Sequence, residues 1–182
     1  MKTTRQLYET STLADALAHG CDIVQSKYRG LWVRVEIQRG EGVVYDHRYQ
    51  TLMSIDIPDA SIACTLVGDL FGPPAHQVSR IVVWDCWRIG EESTERPMVD
   101  WQNIENFSYR DRWAFAKLNV GRMGIPFVLI KNYPIASAKD LWIKPDEPPL
   151  ETCGLVFRKS TDPVEVILRV ARRYKEAPAD LL

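Results

Sequence analysis

The run Leu31 to Gln38 constrains this chain most, because Leu31, Val33, Val35 and Ile37 alternate strictly with Trp32, Arg34, Glu36 and Gln38. Alternation with period two is the pattern of a strand with one buried face. Behind it, Gln38-Arg39-Gly40-Glu41-Gly42 supplies turn chemistry and Val43-Val44-Tyr45 starts a return strand, so the segment predicts a hairpin. Immediately ahead lies Ser26-Lys27-Tyr28-Arg29-Gly30, which holds Lys27 at the mouth of a rigid element. A lysine in that position is either a solvated cation or a nucleophile. Only residues further along the chain can separate the two readings.

A length of 182 residues suits one domain with a full core, or one domain with a small appendage. With 46% hydrophobic and 26% charged residues, the composition is that of a soluble globular protein. The start, Met1 to Gln6, lacks a signal-like apolar core, and no apolar run approaches the ~20 residues of a membrane span. A cytoplasmic protein is expected. Cys21, Cys64, Cys86 and Cys153 form no C-x-x-C pair, and His19, His47 and His76 stand apart, which excludes zinc-site spacing. The thiols should be reduced and mostly buried.

Twenty-three basic against twenty-four acidic residues give a net charge of −1 and a pI near 6.3. Proteins that grip nucleic acid unaided carry a surplus of positive charge on one face, and no such surplus exists globally here. The one basic cluster, Arg169, Arg172, Arg173 and Lys175, is either a solvated helix face or a phosphate-facing patch.

Along the chain, Thr12 caps a predicted helix with Leu13, Ala16 and Leu17 as its buried stripe and Gly20 as its stop. Asp22 to Tyr28 is a predicted strand. From Tyr45 to Asp59 the pattern weakens, leaving a strand end and loop at Ile55, Ile57 and Pro58. Ser61 to Phe71 is an apolar strand carrying Asp69, a carboxylate that must be paired, coordinate a cation or lie at an exposed strand end. Arg80 to Ile89 reads as a buried strand, its apolar run ending in the carboxylate of Asp85, followed by a polar loop from Gly90-Glu91-Glu92 to Pro97. Phe107 to Val120 is an amphipathic helix with Trp113, Ala116, Leu118 and Val120 apolar. Phe127 to Ile130 is a strand, Ser137 to Leu141 a short helix, and Pro145 to Pro149 a break. Leu150 to Arg158 is a strand in which Gly154 marks a close approach. The last segment offers a helix start at Asp162-Pro163 but strand-like alternation at Val164, Val166, Leu168 and Val170. Trp87, Trp101, Trp113, Trp142 and Pro126 are expected in core or loop packing.

Taken in order, Lys27-x-x-Gly30, Gly68-Asp69, the strand with Trp84-Asp85, Gly154-Leu155-Val156-Phe157-Arg158 and Arg173-Tyr174-Lys175 resemble the motif series of the covalent nucleotidyltransferases. That superfamily comprises the ATP-dependent DNA ligases, the RNA ligases and the mRNA capping guanylyltransferases. The resemblance covers most of the chain. It implies an α+β nucleotidyltransferase domain, antiparallel sheets with flanking helices around a nucleotide cleft, spanning 1–182 as one domain without a C-terminal OB domain. By the same resemblance Lys27 is the nucleophile that attacks the α-phosphate of ATP or GTP, with Tyr28 and Gly30 beside it. Arg48 is similar to an arginine that contacts nucleotide or nucleic acid. Asp69 stands where an acidic residue binds the ribose, Trp84 where an aromatic stacks on the purine, and Arg173 and Lys175 where a K-x-K pair holds the triphosphate.

Three positions depart from the pattern. Arg29 precedes Gly30 where an acidic residue is common, and Trp32 replaces an arginine, with Arg34 on the same strand face. Cys153 occupies the place of an acidic Mg²⁺ ligand, although Glu151 shares its strand face and, with Asp69, could bind the metal. The implied cofactors are ATP or GTP with Mg²⁺. The implied partners are a nucleotide and a nucleic acid, the latter held weakly unless a protein partner supplies a lid. The alternatives are a capping-type guanylyltransferase and a catalytically inactive module that binds nucleotide, nucleic acid or protein.

Overall fold

A computed structural model of the chain describes residues 7–9, 13–72, 80–92, 98–124, 126–144, 152–161 and 167–171. In chain order the described elements begin with β1 (Leu7–Glu9), α1 (Leu13–Ala18), β2 (Ile23–Tyr28), β3 (Leu31–Gln38), β4 (Glu41–Tyr45) and β5 (Thr51–Asp56). They continue through β6 (Cys64–Phe71), β7 (Arg80–Glu92), β8 (Val99–Asn103), α2 (Tyr109–Met123) and β9 (Phe127–Leu129). The last are β10 (Tyr133–Pro134), a 3₁₀ turn (Ile135–Ser137), α3 (Ala138–Ile143), β11 (Thr152–Arg158) and β12 (Ile167–Ala171). They form two compact units: Gly30–Leu129, contiguous in sequence, and Met1–Arg29 together with Ile130–Leu182.

The contiguous unit is a sheet in the order β5-β4-β3-β6-β7-β8, with β9 added in parallel beside β7. The alternation in β3 is realised: Val33, Val35 and Ile37 are completely buried, and only Leu31, at the strand's start, escapes the stripe at 44% exposure. Arg39 and Gly40, between the paired Gln38 and Glu41, have φ of 54° and 79°, the positive values that a type I′ hairpin turn needs. Val33, Val35, Ile37, Leu66, Ile81 and Val83 share one core with Ala116, Val120 and Met123 of α2. The Ser108 hydroxyl accepts the Asp111 N–H and caps α2 at its start.

Several elements differ from the sequence reading. β5 is a full strand where the pattern gave only a strand end. β7 runs on through Asp85 and through Gly90-Glu91-Glu92, and β8 pairs with that far end, so the expected polar loop is half of a second hairpin. On α2 the buried face carries Arg112 and Asn119 beside Ala116 and Val120, whereas Leu118 is 60% exposed. An arginine can be buried there because it has a partner on β7.

The second unit is a five-stranded sheet in the order β1-β12-β11-β2-β10, antiparallel except for the parallel pair β1 and β12. The segment 167–171 is therefore a strand, held between β11 and β1. Val24, Leu155 and Phe157 pack on one face against Ala16 of α1 and Ala138, Leu141 and Trp142 of α3. Leu17, expected in the helix stripe, is exposed, and Gly20 at φ 73° ends the turn after α1. Thr12 lies outside the described residues. Cys21, Cys64 and Cys86 are free and buried, as their sequence context predicted. Burial pushes the Cys21 thiol up to about 11 and the Cys64 thiol up to about 12.

Candidate functional site

Lys27 sits on β2, half-buried, directly opposite Gly154 of β11. Residues opposed across an antiparallel ladder project from the same face. Gln25 and Val156, then Ile23 and Arg158, therefore continue the row on which Lys27 stands. The alternate row, Val24, Leu155 and Phe157, is the core row of this unit. Gly154 has φ 152° beside a register irregularity between Thr152 and Gly154, a conformation that suits glycine. Lys27 thus faces a residue with no side chain.

Two members of the Lys27 row, Gln25 and Arg158, are polar and buried. Arg158 Nε donates to Gln25 Oε1 at 2.9 Å, and Gln25 Nε2 donates to Asn132 Oδ1 at 2.5 Å, with Gln25 and Arg158 almost fully enclosed. Buried guanidinium and carboxamide groups persist only when bonded in this way. The sequence reading did not single out Gln25 or Asn132, although Gln25 and Arg158 have the strand parity of Lys27 and so carried a signal. β12 extends the ladder, with Arg169 at the register position opposite Val156 and Ala171 opposite Gly154.

In the contiguous unit, Gly30 is pressed against β6. A Cβ there would lie 2.7 Å from Asp69 Cβ and 3.0 Å from the Leu70 carbonyl oxygen. Asp69 is opposite Trp32, half-buried within β6, which removes the exposed-strand-end reading. Trp32 pairs with Trp87, ring centroids 6.1 Å apart and tilted by 46°. Arg34 Nη2 contacts Glu36 Oε1 at 2.5 Å, its Nη1 donates to Tyr49 Oη at 3.1 Å, and its Nε is buried without an acceptor among the described residues. Arg48 is exposed in a turn built on Asp46, whose carboxylate accepts the Gln50 N–H at 2.9 Å and the Arg48 N–H at 2.8 Å. Those backbone bonds, Gln50's first, hold the Asp46 carboxyl below its ordinary value.

The β6–β7 register skips Trp84 and Trp87, jumping between Val67 and Gly68 and again between Thr65 and Leu66. Each tryptophan is therefore the extra residue of a β-bulge, a device that re-aims a side chain and recurs beside functional sites. Asp85 fixes the segment between them. Its carboxylate accepts from the Cys86 N–H at 2.8 Å, Trp87 Nε1 at 3.2 Å and Arg112 Nε at 3.0 Å. Arg112 Nη1 also donates to the Glu105 and Phe107 carbonyls at 3.1 and 2.7 Å. The Tyr109 hydroxyl donates to the Trp84 carbonyl at 3.2 Å.

Gly30, Arg48, Asp69 and Trp84 thus belong to one compact unit, and Lys27 and Tyr28 to the other. Arg173, Lys175 and Glu151 lie outside the described residues. Among the described residues no three His, Cys, Asp or Glu side chains gather as a preformed metal site. Mg²⁺ is commonly held by one or two carboxylates plus substrate phosphates, and Asp69 can supply one such oxygen donor.

No protein-family model matches this sequence, and no curated protein matches it. Solved structures do resemble its fold. The ligase domain of LigD from M. tuberculosis aligns with a TM-score of 0.57 at 9% identity, covering 90% of this chain and 56% of that one. A mycobacterial DNA ligase D complexed with ATP and MES gives 0.54 at 10% identity, over 82% and 56% of the two chains. An archaeal ATP-dependent RNA ligase gives 0.54 at 18% identity, over 91% and 47%. The chain therefore spans about half the length of these structures. On this likeness the fold is similar to that of ATP-dependent DNA and RNA ligase domains.

Proposed function

We propose that the chain is a polynucleotide-ligase-type nucleotidyltransferase in which Lys27 forms a covalent lysyl-AMP from ATP. The observation that carries this reading is the position of Lys27 within a ligase-type fold: on an interior strand, facing a glycine, in a row that includes the buried polar groups of Gln25 and Arg158. The lysine Nζ, as the neutral amine, forms a bond to the α-phosphorus. The bond from that phosphorus to the bridging oxygen of the β-phosphate breaks, and pyrophosphate leaves with the electron pair. The Nζ proton must be lost on the way. Mg²⁺ bound with the triphosphate would offset the charge developing on the leaving group.

This chain's own residues bind and orient. Asp69 takes the ribose, Trp84 stacks on the purine from its bulge, Arg48 meets nucleotide or nucleic acid, and Arg173 and Lys175 take the triphosphate. The Arg158–Gln25–Asn132 chain fixes the strand under Lys27. A nucleic-acid end would then receive the adenylate, held weakly unless a partner protein assists. The assignment to a cytoplasmic, single-domain protein belongs to the same proposal.

The test is incubation of the purified protein with α-labelled ATP or GTP and Mg²⁺ or Mn²⁺. Acid-stable label from ATP that Lys27→Ala loses is the expected result, and absence of label from either nucleotide sinks the enzyme reading. Preference for GTP transfers the assignment to a capping-type guanylyltransferase. Cys153 in an acidic position and Trp32 in an arginine position favour a second reading, an inactive module that binds nucleotide, nucleic acid or protein. Tight nucleotide or oligonucleotide binding without covalent transfer would establish it.

A further inference from the structure

On the face of the contiguous unit's sheet that is turned away from α2, three charged side chains and a hydroxyl meet. Arg34 and Glu36 of β3 project from that face, because Val33, Val35 and Ile37 fill the other one together with α2. Glu36 is directly opposite Thr65 of β6, and Thr65 is directly opposite Arg88 of β7, so the three stand side by side. Glu36 Oε1 takes Arg34 Nη2 at 2.5 Å and lies 3.9 Å from Arg88 Nη1. Two guanidiniums thus share one carboxylate oxygen, and the cluster keeps an excess positive charge. Each guanidinium also lies over a ring, Arg34 Cζ 5.4 Å from the Tyr49 centroid and Arg88 Cζ 4.3 Å from that of Trp101.

A second, independent observation concerns hydrogen bonding. Arg34 Nε and Thr65 Oγ1 are buried and have no partner among the described residues, and the Thr65 side chain is completely enclosed. A buried donor without an acceptor is costly and marks a place where a ligand's acceptor fits. Both groups can donate, so an oxyanion would satisfy them, and the excess charge has the matching sign. Arg88 and Glu36 keep 29% and 33% of their side-chain surface exposed, so solvent reaches the cluster. One pleat repeat before Arg34 on the same face, ~7 Å along the strand, stands Trp32. Its ring pairs with that of Trp87 at 6.1 Å. The spacing is comparable with the span from a phosphate to its own base in a nucleotide. Free phosphate would engage the cations alone, whereas a polynucleotide strand engages the cations and the rings.

We propose that this face binds an unpaired stretch of a polynucleotide, with Arg34, Arg88 and Thr65 on a backbone phosphate and the Trp32–Trp87 pair under a base. The inference rests on the nucleic-acid part of the function proposed above and deepens it. The phosphate takes the Arg34 Nε–H and the Thr65 hydroxyl, the two donors without acceptors in the free protein. A base can lie on the ring pair only when it is unpaired, so single strands are favoured over duplex. Every group named belongs to the unit Gly30–Leu129, and Lys27 takes no part.

The test is titration of the full chain, without ATP, with a single-stranded oligonucleotide of ~12 residues. Anisotropy of a labelled strand gives the affinity, and NMR follows the Arg34 Nε–H signal of the unaltered protein. Saturable binding that moves this signal downfield is expected. Arg88→Gln should weaken binding and lower the slope of log affinity against log salt by about 0.7, the share of one neutralised phosphate on a single strand. Trp32→Ala should weaken the strand at least ~5-fold, as loss of one stacked base implies, and leave an abasic strand of equal length unaffected. No binding, a stationary Arg34 Nε–H, an unchanged salt slope, equal affinity of the abasic strand for the unaltered protein, or tighter binding of the duplex each overturn the proposal. Inorganic phosphate moving the Arg34 signal with the affinity of the strand would show a free-anion site and overturn it likewise. Labelling of Lys27 without strand binding overturns this inference and spares the lysyl-AMP reading, and strand binding without labelling does the reverse.

Discussion

Asp85 and Arg112 are both wholly buried and 3.0 Å apart, and each spends its remaining capacity on neighbours, the carboxylate on Cys86 and Trp87, the guanidinium on two loop carbonyls. Removing one partner of such a pair leaves an uncompensated charge in the core. Arg112→Met should therefore destabilise the protein by about 3–5 kcal/mol, whereas Asp85→Asn/Arg112→Met should recover part of that loss, measured by urea unfolding of the two variants. Gly68 sits where any Cβ would run into the Val82 carbonyl oxygen, so Gly68→Ala should lower the melting temperature markedly or prevent soluble expression. Residue by residue, legibility in the sequence tracked locality. Val33, Val35 and Ile37 could be placed because their neighbours at two-residue spacing announce the strand. Arg112 could not, because the group that makes its burial tolerable lies 27 residues away in sequence. Gln25 was hidden for the same reason, as its bond to Arg158 spans 133 residues.

β7 shows what pattern reading loses at the scale of elements. A two-residue period presumes an unbroken pleat, and β7 breaks it at Trp84 and again at Trp87, so the parity is inverted at Asp85 and Cys86 and returns from Arg88 onward. Further along, a glycine followed by two carboxylates has the composition of a loop, so Glu91 and Glu92 look like loop residues although they are laddered to Asp100 and Val99. Cys64 on β6 and Cys86 on β7 lie within that bulged pair, in the same core. Burial pushes the Cys64 thiol to about 12 and the Cys86 thiol well above 9.0, so the folded state disfavours both thiolates. In the unfolded chain they ionise near 9.0. Their contribution to stability is thus fully present below pH 9 and declines as pH rises towards 12. Urea midpoints should be level through neutral pH and fall above pH 9, and Cys64→Ala/Cys86→Ala should flatten that fall. The same burial predicts that neither thiol reacts with iodoacetamide at pH 8 until the protein unfolds.

At the scale of the whole molecule, one compact unit is a single stretch, Gly30–Leu129, with a core drawn from its own residues, while the other is assembled from both sides of it. A 30–129 fragment should accordingly fold on its own, with a cooperative thermal transition and near-UV signals from its tryptophans. A non-cooperative melt would show instead that the two units depend on each other. The motif order, readable from the sequence, said nothing of this partition, because motifs record positions along the chain and not which strands share a sheet. Among the described residues, the ladder partners of the strand that carries Lys27 are residues 133–134 and 152–158. A polypeptide ending at residue 129 would therefore hold the amine without these neighbours, and under the proposed function self-charging with nucleotide would wait until residues 133–158 are in place.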